Sequence, residues 1–245
     1  MGSVPNFPLI SPAFGKSGGR TSNFERIYAA NKGNPADRFA PADFFVSQTG
    51  GLALKPIIFV LGLSGVGKTY TAKALSQDYS LLHIDIDRKA GGFAKAGFPP
   101  EWDKDVARVD FAVLAAGIRG CIGDQHQGAV LSFPTTYRFR REQLGVVSTH
   151  GVGVVVLWGA LERCWDVRRE RQEKNKGTTP DQADYLRKNR LAFEMYKGAE
   201  YDEFKVEAFQ IDGSRPSRET MLALVLARLA NQGIELTASW ACGTR

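Results

Sequence analysis

The sequence predicts an α/β domain of three layers, a five-stranded parallel sheet between helices, with an irregular N-terminal extension. Two observations predict it. From Lys55 onward, apolar runs alternate with longer polar-periodic segments, the pattern of β-α units whose sheet is buried on both faces. The first of these runs, Ile57-Ile58-Phe59-Val60-Leu61, leads straight into Gly62-Leu63-Ser64-Gly65-Val66-Gly67-Lys68-Thr69, so strand, glycine-rich turn and helix stand in the order that G-x-x-x-x-G-K-T demands.

The strands are expected at Ile57–Leu61, Leu81–Asp87, Ala129–Phe133, Val152–Leu157 and Glu207–Asp212, each a short apolar or alternating run bounded by turn residues. Between them, apolar residues recur at helical spacing over Lys68–Gln77, Lys104–Cys121, Arg140–Val147, Leu161–Glu173, Pro180–Lys197 and Ser217–Asn231. Thr179-Pro180-Asp181-Gln182 reads as a reciprocal cap with proline at the first helical position. The last helix enters through Pro216-Ser217 and stops near Gly233.

A chain of 245 residues with 43% hydrophobic content can bury one substantial core. Residues 1–50 scatter phenylalanines among Gly, Ser, Pro and Asn without periodicity, apart from a possible short helix over 22–31. They read as an arm, either a disordered extension or a segment packed on the domain or on another subunit. The domain itself is expected over 51–233, with a tail at 234–245. Val152 to Leu161, the longest apolar stretch, is too short to span a bilayer. No signal-peptide pattern opens the chain, and Asn6 stands where a myristoylation site wants Ser or Thr, so a cytoplasmic location without a membrane is expected. Cys121, Cys164 and Cys242 form no pair or metal spacing, and His83, His126 and His150 are scattered. The formal charge of +6 suits either nucleic acid or a polyphosphate ligand.

The chemistry is concentrated in two places. In the glycine-rich loop, backbone N–H groups can point at phosphate oxygens, Lys68 can reach the β- and γ-phosphates, and the Thr69 hydroxyl can ligate Mg²⁺. Gly62, Ser64, Gly65, Val66, Gly67, Lys68, Thr69 and Tyr70 are therefore the expected nucleotide contacts, with a nucleoside triphosphate and Mg²⁺ as the ligands. The second place is His83-Ile84-Asp85-Ile86-Asp87, where alternation sets both carboxylates on one face at a C-terminal strand end. One can support Mg²⁺ and the outer one can accept the proton of an attacking hydroxyl.

Together, the G-x-x-x-x-G-K-T loop and the H-I-D-I-D strand resemble the small-molecule P-loop kinases of the shikimate kinase and gluconate kinase group, loosely over residues 55–231. The resemblance implies a three-layer P-loop NTPase fold, Asp85 at the metal, Asp87 at the acceptor hydroxyl, and phosphoryl transfer from ATP to an alcohol. It also implies a lid at 168–179, formed by the basic end of one helix, the polar loop Gln172–Thr179 and the capped helix that follows. Arg168, Arg169 and Arg171 are the candidates to close over the phosphates there, Arg168 and Arg171 foremost. By the same resemblance Arg215 and Pro216 lie beside the adenine and Arg108 faces the acceptor, while Arg138, in the basic run after the third strand, suits an anionic acceptor. Ser132-Phe133-Pro134-Thr135-Thr136 replaces the glycine triplet of shikimate kinases, which argues against shikimate itself.

Rival readings of the loop fare worse. A GTPase base reader N-K-x-D fails at the fourth position of Asn175-Lys176-Gly177-Thr178, and no apolar strand ends in Asp-Glu as a motor ATPase requires. A kinase of nucleic-acid ends or bases, using Arg138-Phe139-Arg140-Arg141 on a phosphate backbone, is an alternative that is not favoured, as is a regulatory module without catalysis.

Overall fold

Ile57–Gly62 (β1) is apolar at every position before its glycine because both its faces are covered: all six residues are buried. The structure is a computed structural model that describes residues 54–86 and 92–238. The arm at 1–50, its possible helix and subunit contact, Asp87, Cys242 and the end of the tail lie outside the described residues.

Five parallel strands stand in the order β2-β3-β1-β4-β5, with β2 at Leu81–Asp85, β3 at Gly128–Ser132, β4 at Val152–Trp158 and β5 at Lys205–Glu207. Burial falls from the centre outwards. β3 is wholly buried, whereas β2 grades to an exposed Asp85 and β5 buries only Val206. Right-handed crossovers then decide the layers. The chain leaves β1 towards β2 through Lys68–Asp78 (α1), then reverses and steps across the sheet through Phe111–Cys121 (α4) and Arg141–Thr149 (α5). So α1 lies on one side, packed with Arg218–Ala230 (α8), and α4 and α5 pack together on the other. Leu161–Lys176 (α6) and Gln182–Lys197 (α7) form an antiparallel pair between β4 and β5.

Several boundaries differ from the sequence reading, each for a physical reason. The fifth strand comes earlier than Glu207–Asp212: Phe204, Val206 and Ala208 are the buried residues, while Ile211 projects fully into solvent. The single helix expected over Lys104–Cys121 is broken by its aspartates. Asp105 caps a 3₁₀ turn at Val106–Arg108 and Asp110 caps α4, each accepting backbone N–H groups that would otherwise lack partners. Gln172–Thr179 is no loop up to Lys176, because Arg, Gln, Glu and Lys are good helix formers, and α6 runs on until Gly177 ends it. α7 starts later than Pro180: Asp181 is its cap, accepting from the Ala183 and Asp184 N–H groups, and Thr179 instead donates to Glu173 at 2.9 Å.

Two short helices not read from the sequence, Gly92–Lys95 (α2) and Glu101–Lys104 (α3), lie after β2. Asp103 joins them, accepting from the N–H groups of Phe93 at 2.8 Å and Ala94 at 3.0 Å and from the Tyr137 hydroxyl. Beneath them Phe93, wholly buried, packs edge-on against Trp102, Phe98 and Tyr137, with ring centroids 5.3–6.1 Å apart. Phe93→Ala is expected to cost about 3–5 kcal/mol, the range for a buried aromatic truncated to alanine. Urea unfolding of the variant measures it; a loss below about 1 kcal/mol would show that this cluster collapses around the gap.

Candidate functional site

The loop leaving β1 is shaped by backbone that only glycine adopts easily. Gly65 has φ 93°, and a Cβ there would stand 2.1 Å from the Cys164 carbonyl oxygen at the start of α6. Gly67, at φ 109°, is the residue that turns the chain into α1. α1 begins at Lys68 with no side-chain cap and no acidic residue in its first turn. No side-chain cap or carboxylate there competes with an anion for the positive end of the helix dipole. Lys68 Nζ donates to the carbonyls of Gly62 at 3.0 Å and Leu63 at 2.7 Å, which folds its charge back over the loop. Thr69 follows on the first turn, and Tyr70 is largely exposed beside it.

Asp85 reaches the same edge of the sheet. Val60 pairs with Ser132 and Ser132 with Asp85, so the three stand in one row; at ~4.8 Å per strand, Asp85 lies about 10 Å across the sheet from Val60, two residues before the loop. The buried Ser132 hydroxyl donates to Asp85 Oδ1 at 3.1 Å, and His83 Nε2 lies 3.2 Å from Ser132 Oγ. With the serine proton on Asp85, the histidine is the donor of the second bond. Burial holds the His83 pKa below its usual value, with the Asp85 carboxylate acting the other way. Asp87, two residues on, lies outside the described residues. Among the described residues no group of three or more His, Cys, Asp and Glu forms a metal cluster.

The arginines are sorted by what they touch. Arg169 is paired with Asp166 at 3.4 Å and Arg163 leans on Asp166 at 4.0 Å. Arg168 makes no ion pair among the described residues. It follows Leu161, Cys164 and Trp165 on the buried stripe of α6, and its charge is felt at the Tyr185 hydroxyl. Arg171, a turn further, is exposed. Arg215 lies on the loop: its Nη2 donates to the Gly65 carbonyl at 2.7 Å, its guanidinium stands over the Phe209 ring, and a Cβ on Gly67 would meet its Nη1. Pro216 follows it, half-buried. Arg108 pairs with Asp105 at 3.5 Å and is mostly exposed, and Arg138 is half-buried next to Phe139. Arg141 is taken by Glu203 and by the Phe204 ring, which leaves less of the Arg138–Arg141 patch for a phosphate backbone.

Three contacts were missed from the sequence. Asn189 Oδ1 accepts from the Ser64 N–H at 2.9 Å, the Tyr185 hydroxyl donates to the Ser64 carbonyl at 2.8 Å, and Ser132 holds Asp85. The Ser64 peptide groups are thus occupied by α7. Tyr185 has its pKa raised by burial, and burial pushes the Cys164 thiol up to about 12 despite nearby Lys68 and Arg215. Cys164 is accordingly a packing residue under the loop.

No family model matches the chain, and no curated protein matches it. Among solved structures, it is similar to a gluconokinase from Sinorhizobium meliloti, with 15% identity over 74% of this chain and 93% of that one and a TM-score of 0.42. A shikimate kinase from Acinetobacter baumannii, solved with shikimate, aligns at 18% identity over 72% and 94% of the two chains, TM-score 0.42. The Deinococcus radiodurans tunicamycin resistance protein does so at 18% identity over 75% and 98%, TM-score 0.44.

Proposed function

We propose that the protein is an ATP-dependent phosphotransferase that moves the γ-phosphoryl group to a hydroxyl of a small acceptor. One observation carries this reading. The G-x-x-x-x-G-K-T loop leaves the central strand at its carboxyl end, between β3 and β4, where the strand order switches side and open parallel sheets take their ligands. A polyphosphate fits the residues there: the uncapped start of α1, the Lys68 charge and the glycine backbone form a cradle, and Gly65 lets its loop lie directly against the Cys164 carbonyl of α6. A magnesium ion would be held by Thr69 and Asp85 with phosphate oxygens completing its shell, the usual sparse protein contribution for this metal. When bound, it supplies neutralisation of the charge between the β- and γ-phosphates.

The chain's own groups divide the remaining work. Ser132 fixes one Asp85 oxygen, so the carboxylate is oriented before any ligand arrives. Lys68 offsets charge at the transferring group, and Arg168, with Arg171 beyond it, is the lid residue that closes from α6. The lid spans 168–179 of a domain at 51–233, flanked by an extension at 1–50 and a tail at 234–245. Val66, Gly67 and Tyr70 complete the nucleotide side with Gly62, Pro216 and the side chain of Ser64, whose peptide groups are taken by α7. Arg108 and Arg138 remain the groups for an anionic acceptor. Asp87 orients the acceptor hydroxyl and takes its proton.

Asp87→Asn is expected to bind ATP·Mg²⁺ almost normally and to transfer phosphate about 10² to 10⁴-fold more slowly, the range for a general base. Asp85→Asn should shift the Mg²⁺ dependence instead. Full transfer by Asp87→Asn would move the base elsewhere. ATP consumption measured with a low-molecular-weight metabolite pool, and separately with oligonucleotides, tests the acceptor class. Stimulation by metabolites is expected; stimulation by oligonucleotides alone would replace this reading with a nucleic-acid kinase.

A further inference from the structure

The peptide groups of the loop are held from outside, and each outer contact dictates what the inner side presents. A trans peptide is planar, so its C=O and the following N–H point in opposite directions; no peptide bond of the described chain is cis. The Ser64 N–H donates outward to Asn189 Oδ1, and the Leu63 carbonyl of the same peptide accordingly turns inward, where it meets Lys68 Nζ at 2.7 Å. In the next peptide the Ser64 carbonyl accepts from the Tyr185 hydroxyl, which aims the Gly65 N–H inward. In the third, the Gly65 carbonyl accepts from Arg215, and the Val66 N–H turns inward towards the Leu63 carbonyl at 3.4 Å.

We infer that Tyr185, Asn189 and Arg215 form an outer brace that sets the peptide orientations of the phosphate loop, and that Tyr185 and Asn189 are positioning residues for phosphate binding. The inference rests on the nucleotide-binding reading above. Neither residue touches the ligand itself. Tyr185 and Asn189 are 6% and 2% exposed, stacked behind the loop, with Asn189 Nδ2 donating to the Tyr185 carbonyl at 2.8 Å so that both are fixed on one face of α7. The brace also ties the helix that follows the lid directly to the phosphate cradle. A movement of α7 is thereby felt at two consecutive loop peptides.

Calorimetric titration with ATP·Mg²⁺, with inorganic tripolyphosphate and with adenosine tests the brace on the full chain. Tyr185→Phe removes only the hydroxyl and is expected to weaken ATP and tripolyphosphate by about 2- to 10-fold, the worth of one net hydrogen bond. Adenosine binding should stay close to wild type, and the unfolding midpoint of the unliganded variant should fall by no more than about 1–6 °C. Asn189→Leu should weaken both phosphate ligands similarly, and Asn189→Asp, which keeps the acceptor for the Ser64 N–H, should recover part of the loss. Should the buried Asn189 variants fail to fold, Tyr185→Phe alone decides. Unchanged tripolyphosphate affinity in Tyr185→Phe overturns the inference, as does an equal loss for adenosine, which would mark a general structural role. If wild type binds tripolyphosphate, Lys68→Ala does not and Tyr185→Phe matches wild type, the brace alone fails. If wild type binds neither phosphate ligand, the nucleotide-binding reading fails and takes the brace with it.

Discussion

Lys68→Ala is expected to reduce phosphoryl transfer by about 10²- to 10³-fold or more, the loss typical when a fixed charge aimed at developing negative charge is removed. The alanine stem cannot replace an ammonium at the γ-phosphate, and no other lysine in the described loop is near enough in sequence to substitute. The fold should survive. Lys68 donates to two loop carbonyls, Gly62 and Leu63, and each such bond contributes only about 1 kcal/mol net. Circular dichroism should therefore stay near wild type and the unfolding midpoint should fall by only about 4–8 °C, while turnover collapses. Wild-type-like transfer by a folded Lys68→Ala would remove the loop from the active site.

The second large effect belongs to Gly65. Its φ of 93° is strained for any L side chain, at about 1–3 kcal/mol. A methyl group there would also press on the Cys164 carbonyl at 2.1 Å, which is helix backbone and cannot rotate away as a side chain would. Either the start of α6 shifts or the loop flattens, and both outcomes misaim the Gly65 and Val66 N–H groups. Gly65→Ala is thus expected to lose more than about tenfold in ATP affinity, since a tenth of the affinity is only about 1.4 kcal/mol. Its midpoint should fall by about 2–12 °C, given about 2–4 °C per kcal/mol at this chain length. Gly177→Ala is the informative control. That glycine also has a positive φ, 64°, but a Cβ there meets nothing within 4 Å, so its variant reports strain without collision. Equal behaviour of the two variants in ATP binding would show that the close approach to Cys164 is not what the loop needs.

The central sheet and the loop were legible because their sequences leave few alternatives. β1, β3 and β4 are continuous apolar runs, as strands covered on both faces must be, and G-x-x-x-x-G-K-T carries its own turn and helix start. At the edge the signal weakens. β5 is three residues long with only Val206 buried, so the neighbouring Phe209 and Ile211 suggested a strand where the chain in fact turns outward. The polar end of α6 reads as a loop by composition, yet nothing in Arg171-Gln172-Glu173-Lys174 interrupts a helix, and it stays helical through Lys176 on the exposed side of the domain. The aspartates at 105 and 110 are the converse case, caps that ended helices within what looked like one periodic stretch.

The loop's outer contacts were illegible for another reason. Tyr185 and Asn189 meet Ser64 across 121 and 125 residues of chain, and on α7 they look like ordinary buried-face residues. Only the packing of α7 on β1 brings them there. The same holds for Ser132, which reads as the end of a buried strand until the parallel register sets it opposite Asp85. The contact of Arg215 with the loop belongs with these: the turn at Gly213 brings its guanidinium to the Gly65 carbonyl, which no local pattern announces.

The fate of the γ-phosphoryl group tests the central claim most directly. The full-length protein, incubated with Mg²⁺ and ATP labelled at the γ-phosphate in the presence of a fractionated metabolite pool, is expected to yield a labelled low-molecular-weight phosphate ester. Its formation should require Mg²⁺ and disappear in Lys68→Ala. Label released only as inorganic phosphate, or an ester formed equally well by Lys68→Ala, would contradict a phosphotransferase built on this loop.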